Sequence, residues 1–382
     1  MSLHKETISF LTDKKLVTAI IFLLTLECLL QLGFYKPYLK KNSYASNINR
    51  VTEHVVSKRD VLDPDILIVG TSVAFEGISV RMLNEELQKS GWKTQSIAVR
   101  GSELVVQHRI LEEYLDKFPK VKMILHVMEP GMPWVDRKYV VDPTLAMLSE
   151  LGNFKAIPTV LDFEYNLDFS NYLYLIFKSV AYRKDLSDLV INFNERLKAI
   201  SRKNKNPNLN PWDYENDHPE SIDEYHLTSV DDCLNRLALH LPLEIPKASN
   251  PDHRRMLFET CGIASVVPQD SNATEDTKRY FRRLKKMYNF IGERKIHIIN
   301  VFAPYSDVIR KVNNESRMKV WHDGLTDALT PYQPLDEMDL QDSLGDSNGK
   351  YCFDLIHLNE AGMKEFTKIL AKDLEKKLGN NR

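Results

Sequence analysis

The chain has 382 residues, enough for one large domain or two ordinary ones. Its 43% hydrophobic and 27% charged residues are those of a globular protein with a sizeable core. A formal net charge of −2 supplies no basic field for nucleic acid, so that class of partner is set aside.

The first predicted element is apolar. Leu16 to Phe34 spans 19 residues, long enough to cross a hydrocarbon core of ~30 Å. Lys14 and Lys15 precede it, and Phe34-Tyr35-Lys36-Pro37-Tyr38 follows with the aromatic and basic character of a membrane interface. A cleavable signal would have a shorter apolar region with small residues directly after it. Residues 1–39 therefore read as one uncleaved N-terminal transmembrane helix, the anchor of a single-pass membrane protein. Glu27 interrupts the run; it is tolerated either protonated near the interface or in polar contact with a partner helix. Lysines flank both ends, so charge does not fix the orientation.

Residues 40–64 are polar and irregular, which suits a stem. The rest, 65–382, reads as one α/β domain with a helical and irregular insertion at about 134–273. The run Asp65–Val69 is near-continuously aliphatic, as in a parallel strand buried on both faces. It ends at Gly70-Thr71-Ser72. Ser79 is a fair N-cap for a helix to about Lys89, with Gly91 ending it. A second short strand, Lys93–Val99, closes at Arg100-Gly101-Ser102. The next helix carries Leu104, His108, Leu111, Leu115 and Phe118 on one stripe, which makes His108 a packing residue. Val121–Met128 is a third strand, and the alternation implies right-handed crossovers in a mainly parallel sheet.

Within the insertion, Tyr172–Phe177 reads as a buried helix, with a cover over the site or a membrane contact as the alternatives. Asn204–Glu220 reads as an exposed loop. The pattern resumes with a helix from Glu275 to Ile291, a strand Ile296–Val301 and a final amphipathic helix bearing Met363, Phe366, Ile369, Leu370 and Leu374. The basic residues Lys278, Arg279, Arg282, Arg283, Lys285 and Lys286 read as a solvated helix face. Of four cysteines, Cys28, Cys233, Cys261 and Cys352, none has zinc or redox spacing. Cys233 and Cys261 are open to bridging or to standing as buried thiols. His218, His226, His240 and His253 lack metal-ligand spacing, no dinucleotide or P-loop glycine pattern occurs, and neither a metal nor a cofactor is assigned.

The chemistry rests on a serine at a strand end. A hydroxyl becomes a useful nucleophile when a base takes its proton, and a histidine held by a carboxylate suits that task. Asp354 and His357, three apart before the last helix, supply both parts.

Gly70-Thr71-Ser72 with Gly77, then Gly101, then Asp354-Leu355-Ile356-His357-Leu358-Asn359 with Gly362, resembles the SGNH (GDSL-type) hydrolase superfamily. The resemblance covers about 65–131 and 275–378 and implies a three-layer α/β/α fold of flavodoxin-like type. It also implies Ser72 as nucleophile, His357 as general base, Asp354 as its orienter, and the amides of Ser72 and Gly101 in the oxyanion hole. Thr71 stands where the family has Asp. The family's third block supplies an Asn to the oxyanion; here His126-Val127-Met128-Glu129-Pro130-Gly131-Met132-Pro133-Trp134 has none. His126 or the Trp134 indole is a candidate substitute, each with a plain packing role as the alternative.

With its anchor, the chain is similar to the membrane-bound proteins of alginate acetylation and teichoic-acid D-alanylation. That likeness implies an extracytoplasmic serine acyltransferase or esterase acting on acyl esters of cell-envelope glycans. Its partners would be an acyl donor, a glycan acceptor, membrane lipid and an integral-membrane protein. The competing expectation is a catalytically weak or inactive module of the same fold that binds glycan or a membrane partner.

Overall fold

The computed structural model describes residues 13–40, 43–57, 59–205, 227, 229–238, 251–266, 271–310, 313–345 and 350–380. The chain divides into two units. One comprises Met1–Asn49, Val140–Pro158 and Leu167–Pro207; the other comprises Arg50–Tyr139, Thr159–Asn166 and Asn208–Arg382.

The second unit is α/β. Its five strands are β1 (Ile66–Val69), β2 (Thr94–Ser96), β3 (Met123–Met128), β4 (His297–Phe302) and β5 (Glu337–Asp339). They run parallel in the order β2-β1-β3-β4-β5. The aliphatic β1 is buried over its whole length, as a strand covered on both faces must be. Ile66 pairs with Thr94 on one side and with Met123 on the other. Strand order reverses direction at β1, so the crevice beyond the carboxyl ends of β1 and β3 is where such sheets bind ligands. The short β5 has no aliphatic run and was not among the expected strands.

Local signals explain the helices of this unit. Ser79 caps Val80–Glu86 by accepting from the Met82 amide at 3.2 Å. Thr274 and Thr277 form a reciprocal cap on Glu275–Gly292. The last helix, Glu360–Asn380, buries Met363, Phe366, Leu370 and Leu374 at helical spacing. His108 is buried against Phe163 and Phe290, as a packing residue. Cys233 and Cys261 are joined in a disulfide between the helices Val230–Ala238 and Pro251–Val266.

Two expectations need correction here. Residues 44–56 are not irregular: Tyr44–Arg50 is helical and Ile48, Val51 and Val55 are buried, because those three recur at helical spacing. The basic cluster is not a solvated face either. Arg279 and Arg283 are buried and both pair with Asp136, at 2.8 and 2.7 Å. Arg282, Lys285 and Lys286 pair with Glu164, Asp327 and Asp162.

The first unit is helical among its described residues. A helix runs Lys14–Gln31, and Gly33 follows at φ +82. Among the described residues no helix is long and apolar enough to cross a membrane. The expected span Leu16–Phe34 is therefore not one continuous helix. The helix begins on two lysines, holds Glu27 and measures ~27 Å for its 18 residues. It nonetheless leaves Ile21, Phe22, Leu23 and Leu24 more than half exposed. Glu27 finds its polar contact within the chain: it accepts from the amides of Lys178 and Ser179, at 2.7 and 3.0 Å. Gln31 donates to Glu27 and to the Ile176 carbonyl. In Phe169–Ile176, Tyr174 and Leu175 are buried while Phe169 is exposed, so the helix is amphipathic rather than buried throughout. The expected loop Asn204–Glu220 falls almost wholly outside the described residues; Asn204 and Lys205 end the helix Phe193–Lys205.

Candidate active site

Ser72 opens the helix Ser72–Gly77 directly after the turn that ends β1. The turn needs glycine at Gly70, where φ is +155 and an added Cβ would lie 2.9 Å from the Val127 carbonyl and 2.8 Å from the Ala74 Cβ. Thr71 is the helix N-cap, its hydroxyl accepting from the Val73 amide at 3.3 Å. Ser72 thereby occupies the first helical position, whose amide has no acceptor in the helix.

The base comes from the other end of the second unit's sequence. His357 Nε2 lies 2.8 Å from Ser72 Oγ. On its far side, Nδ1 lies 2.8 Å from Asp354 Oδ2 and 3.0 Å from Oδ1. Asp354 is fully buried, and its Oδ1 also accepts from the amides of Ile356 and His357, each at 2.8 Å. With the carboxylate accepting at Nδ1, that nitrogen carries the proton of the neutral ring, and Nε2 is the nitrogen that faces the serine as its base. The loop is pinned from below. The buried Asn359 donates to the Lys350 carbonyl and accepts from the Gly362 amide, both at 2.9 Å. Thr260 accepts from the Leu355 amide at 3.3 Å, which ties the disulfide-bearing helix Pro251–Val266 to this loop.

Charge around the imidazole is mostly negative. Burial alone would lower its pKa, but Asp354 above all, then Glu76 and Glu129, push it up to about 9. Glu76 shares its charge with Arg100 at 2.7 Å, and Arg100 lies over the Phe75 ring. Sequence reasoning missed this pair; the adjacency of Arg100 to Gly101 was its only signal.

Oxyanion donors are present in part. Among the described residues, neither the Ser72 amide nor the Gly101 amide donates within the chain. Gly101 has φ +67, a conformation in which glycine is unstrained. The two candidate substitutes for a third donor are engaged elsewhere. His126 is buried, 2.8 Å from the Tyr288 hydroxyl and 3.0 Å from Gln107 Oε1, and burial pushes its pKa down to about 3. The Trp134 indole donates to the Asn272 carbonyl at 3.1 Å. Both have the packing role, because each already has its polar partner inside the unit.

The residue that does reach the site is Glu129, immediately after β3. Its Oε1 accepts from the Thr71 hydroxyl. The two positions that depart from the family pattern, Thr71 and the third block, are thus hydrogen-bonded to each other. Burial pushes the Glu129 carboxyl up to about 7, with the charge of His357 opposing.

Among the described residues no cluster of histidine, cysteine, aspartate and glutamate is placed to hold a metal. His218, His226 and His240 lie outside the described residues, as does the side chain of His253. The arrangement can take a proton from Ser72 and return it at the same nitrogen. That is the requirement of acyl transfer through a covalent serine intermediate. No protein-family model matches the chain, and no curated protein matches it.

Proposed function

We propose that the chain is a membrane-associated serine acyltransferase or esterase of SGNH type, working on acyl esters of cell-envelope glycans. One observation carries the reading: Ser72, His357 and Asp354 form an unbroken relay with 2.8 Å contacts on both sides of the imidazole. The strand order, with helices following β1, β2 and β4, supports the three-layer α/β/α arrangement this class uses.

In the first half-reaction Ser72 Oγ attacks the acyl carbonyl carbon while its proton passes to His357 Nε2. The tetrahedral oxyanion accepts from the Ser72 and Gly101 amides, which stabilise charge that exists only in the transition state. Collapse breaks the carbonyl–oxygen bond of the ester, and the leaving alkoxide takes the proton from His357. Water or a sugar hydroxyl then attacks the acyl-serine, giving its proton to His357, and Ser72 recovers that proton on release. Asp354 holds the imidazole through Nδ1 and stabilises the imidazolium.

The membrane part of the reading is supported by the exposed apolar side chains of Lys14–Gln31 and by the aromatic and basic residues that follow. The Cys233–Cys261 disulfide fits an oxidising, extracytoplasmic compartment. A second reading, a binding module with a weak site, draws on the occupied His126 and Trp134 side chains. Acyl profiling of envelope glycans from cells with and without the protein tests the substrate class. An acyl ester that changes in the null strain and is restored by wild type but not by Ser72→Ala supports the enzyme. Restoration by Ser72→Ala supports the module.

A further inference from the structure

We propose that Glu129 is a third catalytic donor of this site, its neutral carboxyl hydrogen-bonding to the oxyanion beside the Ser72 and Gly101 amides. The proposal rests on Ser72 being the nucleophile.

Place comes first. β3 pairs with β1 so that His126 lies beside Val69, and Glu129 follows β3 as Gly70-Thr71-Ser72 follows β1. Its carboxyl is held there by one hydrogen bond, from Thr71. The Thr71 hydroxyl donates to Oε1 and accepts from the Val73 amide. With Oε1 accepting, a carboxyl proton lies on Oε2. Among the described residues no other hydrogen bond reaches this carboxyl.

The surroundings favour the neutral form. Among the described residues, the cationic side chain that acts on Glu129 is His357, and neither lysine nor arginine pairs with it. The buried phenols of Tyr280 and Tyr305 lie within reach of its charge. An unpaired carboxylate in such a setting is costly, which is why its pKa stands near 7.

The other groups facing His357 are Asp354 on its own loop and Glu76 on the Ser72 helix, the latter shared with Arg100. Between the two titrations the site holds one proton, more often on His357, whose pKa is the higher, than on Glu129. With the proton on His357 there is no base and a carboxylate faces the oxyanion. With it on Glu129 the base is free and a donor is in place. The two arrangements have the same net charge, so the productive one needs no uptake or release of protons from solvent.

The test is hydrolysis of p-nitrophenyl acetate by the purified full chain between about pH 5 and pH 10. Wild type is expected to show a bell with limbs near 7 and 9. Glu129→Gln keeps a donor and removes the ionisation, so its descending limb disappears and its rate rises to a plateau at high pH. Glu129→Ala and Glu129→Leu have the same ascending limb, with kcat ~10²–10³ lower than Glu129→Gln and little change in KM. Two donor-free variants are used so that at least one is compared in the folded state, checked by thermal unfolding. Equal rates for Glu129→Gln and the donor-free variants at every pH would overturn the proposal. Ser72→Ala separates the two readings: if it is inactive while those rates stay equal, only the donor role falls. If Ser72→Ala turns over like wild type, the nucleophile assignment falls as well.

Discussion

At the residue scale, the decisive pair is Asp354 and His357. The carboxylate fixes the tautomer and holds the imidazole against Ser72. Asp354→Asn preserves the shape but allows the proton to sit on Nε2. We expect kcat to fall by ~10⁴ with KM nearly unchanged, measured by steady-state hydrolysis of an activated ester. A loss below tenfold would mean that Asp354 does not act through the tautomer. The same pair sets a stability trend. The folded pKa of His357 is raised to about 9, above the ordinary 6.5. Its contribution is therefore fully present below about 6.5 and is lost as pH rises through 9. Glu129, raised to about 7 from 4.5, contributes with the same sign over a lower window. Urea midpoints should decline from pH 6 to 10, and His357→Gln should flatten the upper part of that decline. A wild-type midpoint that rises over this range contradicts the assignment of charge around the imidazole.

At the element scale, the buried Arg279–Asp136–Arg283 cluster joins the helix Glu275–Gly292 to the segment after β3. Arg283 also donates to the carbonyls of Phe163 and Arg137, so its guanidinium has no route to water. Asp136→Ala leaves the buried Arg283 without its carboxylate and Arg279 with Asp276 alone, and we expect a loss of ~3–5 kcal/mol in chemical denaturation. Replacing Arg282 on the exposed side of the same helix should cost under ~1 kcal/mol. Equal losses would show that burial does not govern these pairs. This helix also shows what sequence patterning resolves. Its Tyr280, Leu284, Met287 and Ile291 stripe was readable, because apolar spacing reports the buried face. Which arginines turn inward was not, since the carboxylate that receives them, Asp136, lies 143 and 147 positions away. Likewise, the aliphatic strands β1, β3 and β4 were legible, while the three-residue β5 depends on pairing with β4 that local sequence does not encode.

At the scale of the whole molecule, the candidate site lies within one unit, and its parts come from positions 72, 101, 129, 354 and 357. Ser72, Gly101, Asp354 and His357 could be found from the sequence because each lies between a strand end and a helix or in the short loop ahead of one. The Thr71–Glu129 bond could not, since it joins two positions 58 apart that carry no shared motif. The disulfide Cys233–Cys261 closes a loop with a sequence separation of 28 in the same unit. Replacing both cysteines by alanine should lower stability by ~2–4 kcal/mol, read from denaturant midpoints. No change would indicate that the bridge does not constrain the unfolded chain. The first unit carries the exposed apolar helix Lys14–Gln31. Flotation with liposomes should carry the full chain upward, and a chain with Ile21, Phe22, Leu23 and Leu24 replaced by serine should stay at the bottom. Wild type that does not float would contradict the membrane contact.

The central claim is that Ser72 is activated by His357 held by Asp354. Labelling the purified full chain with a fluorophosphonate probe tests it most directly, because the reagent traps a serine whose proton is being taken. Wild type is expected to label stoichiometrically on Ser72, Ser72→Ala not at all, and His357→Ala and Asp354→Asn far more slowly. Folded wild-type protein that resists the probe, or labelling that survives in Ser72→Ala, would contradict it.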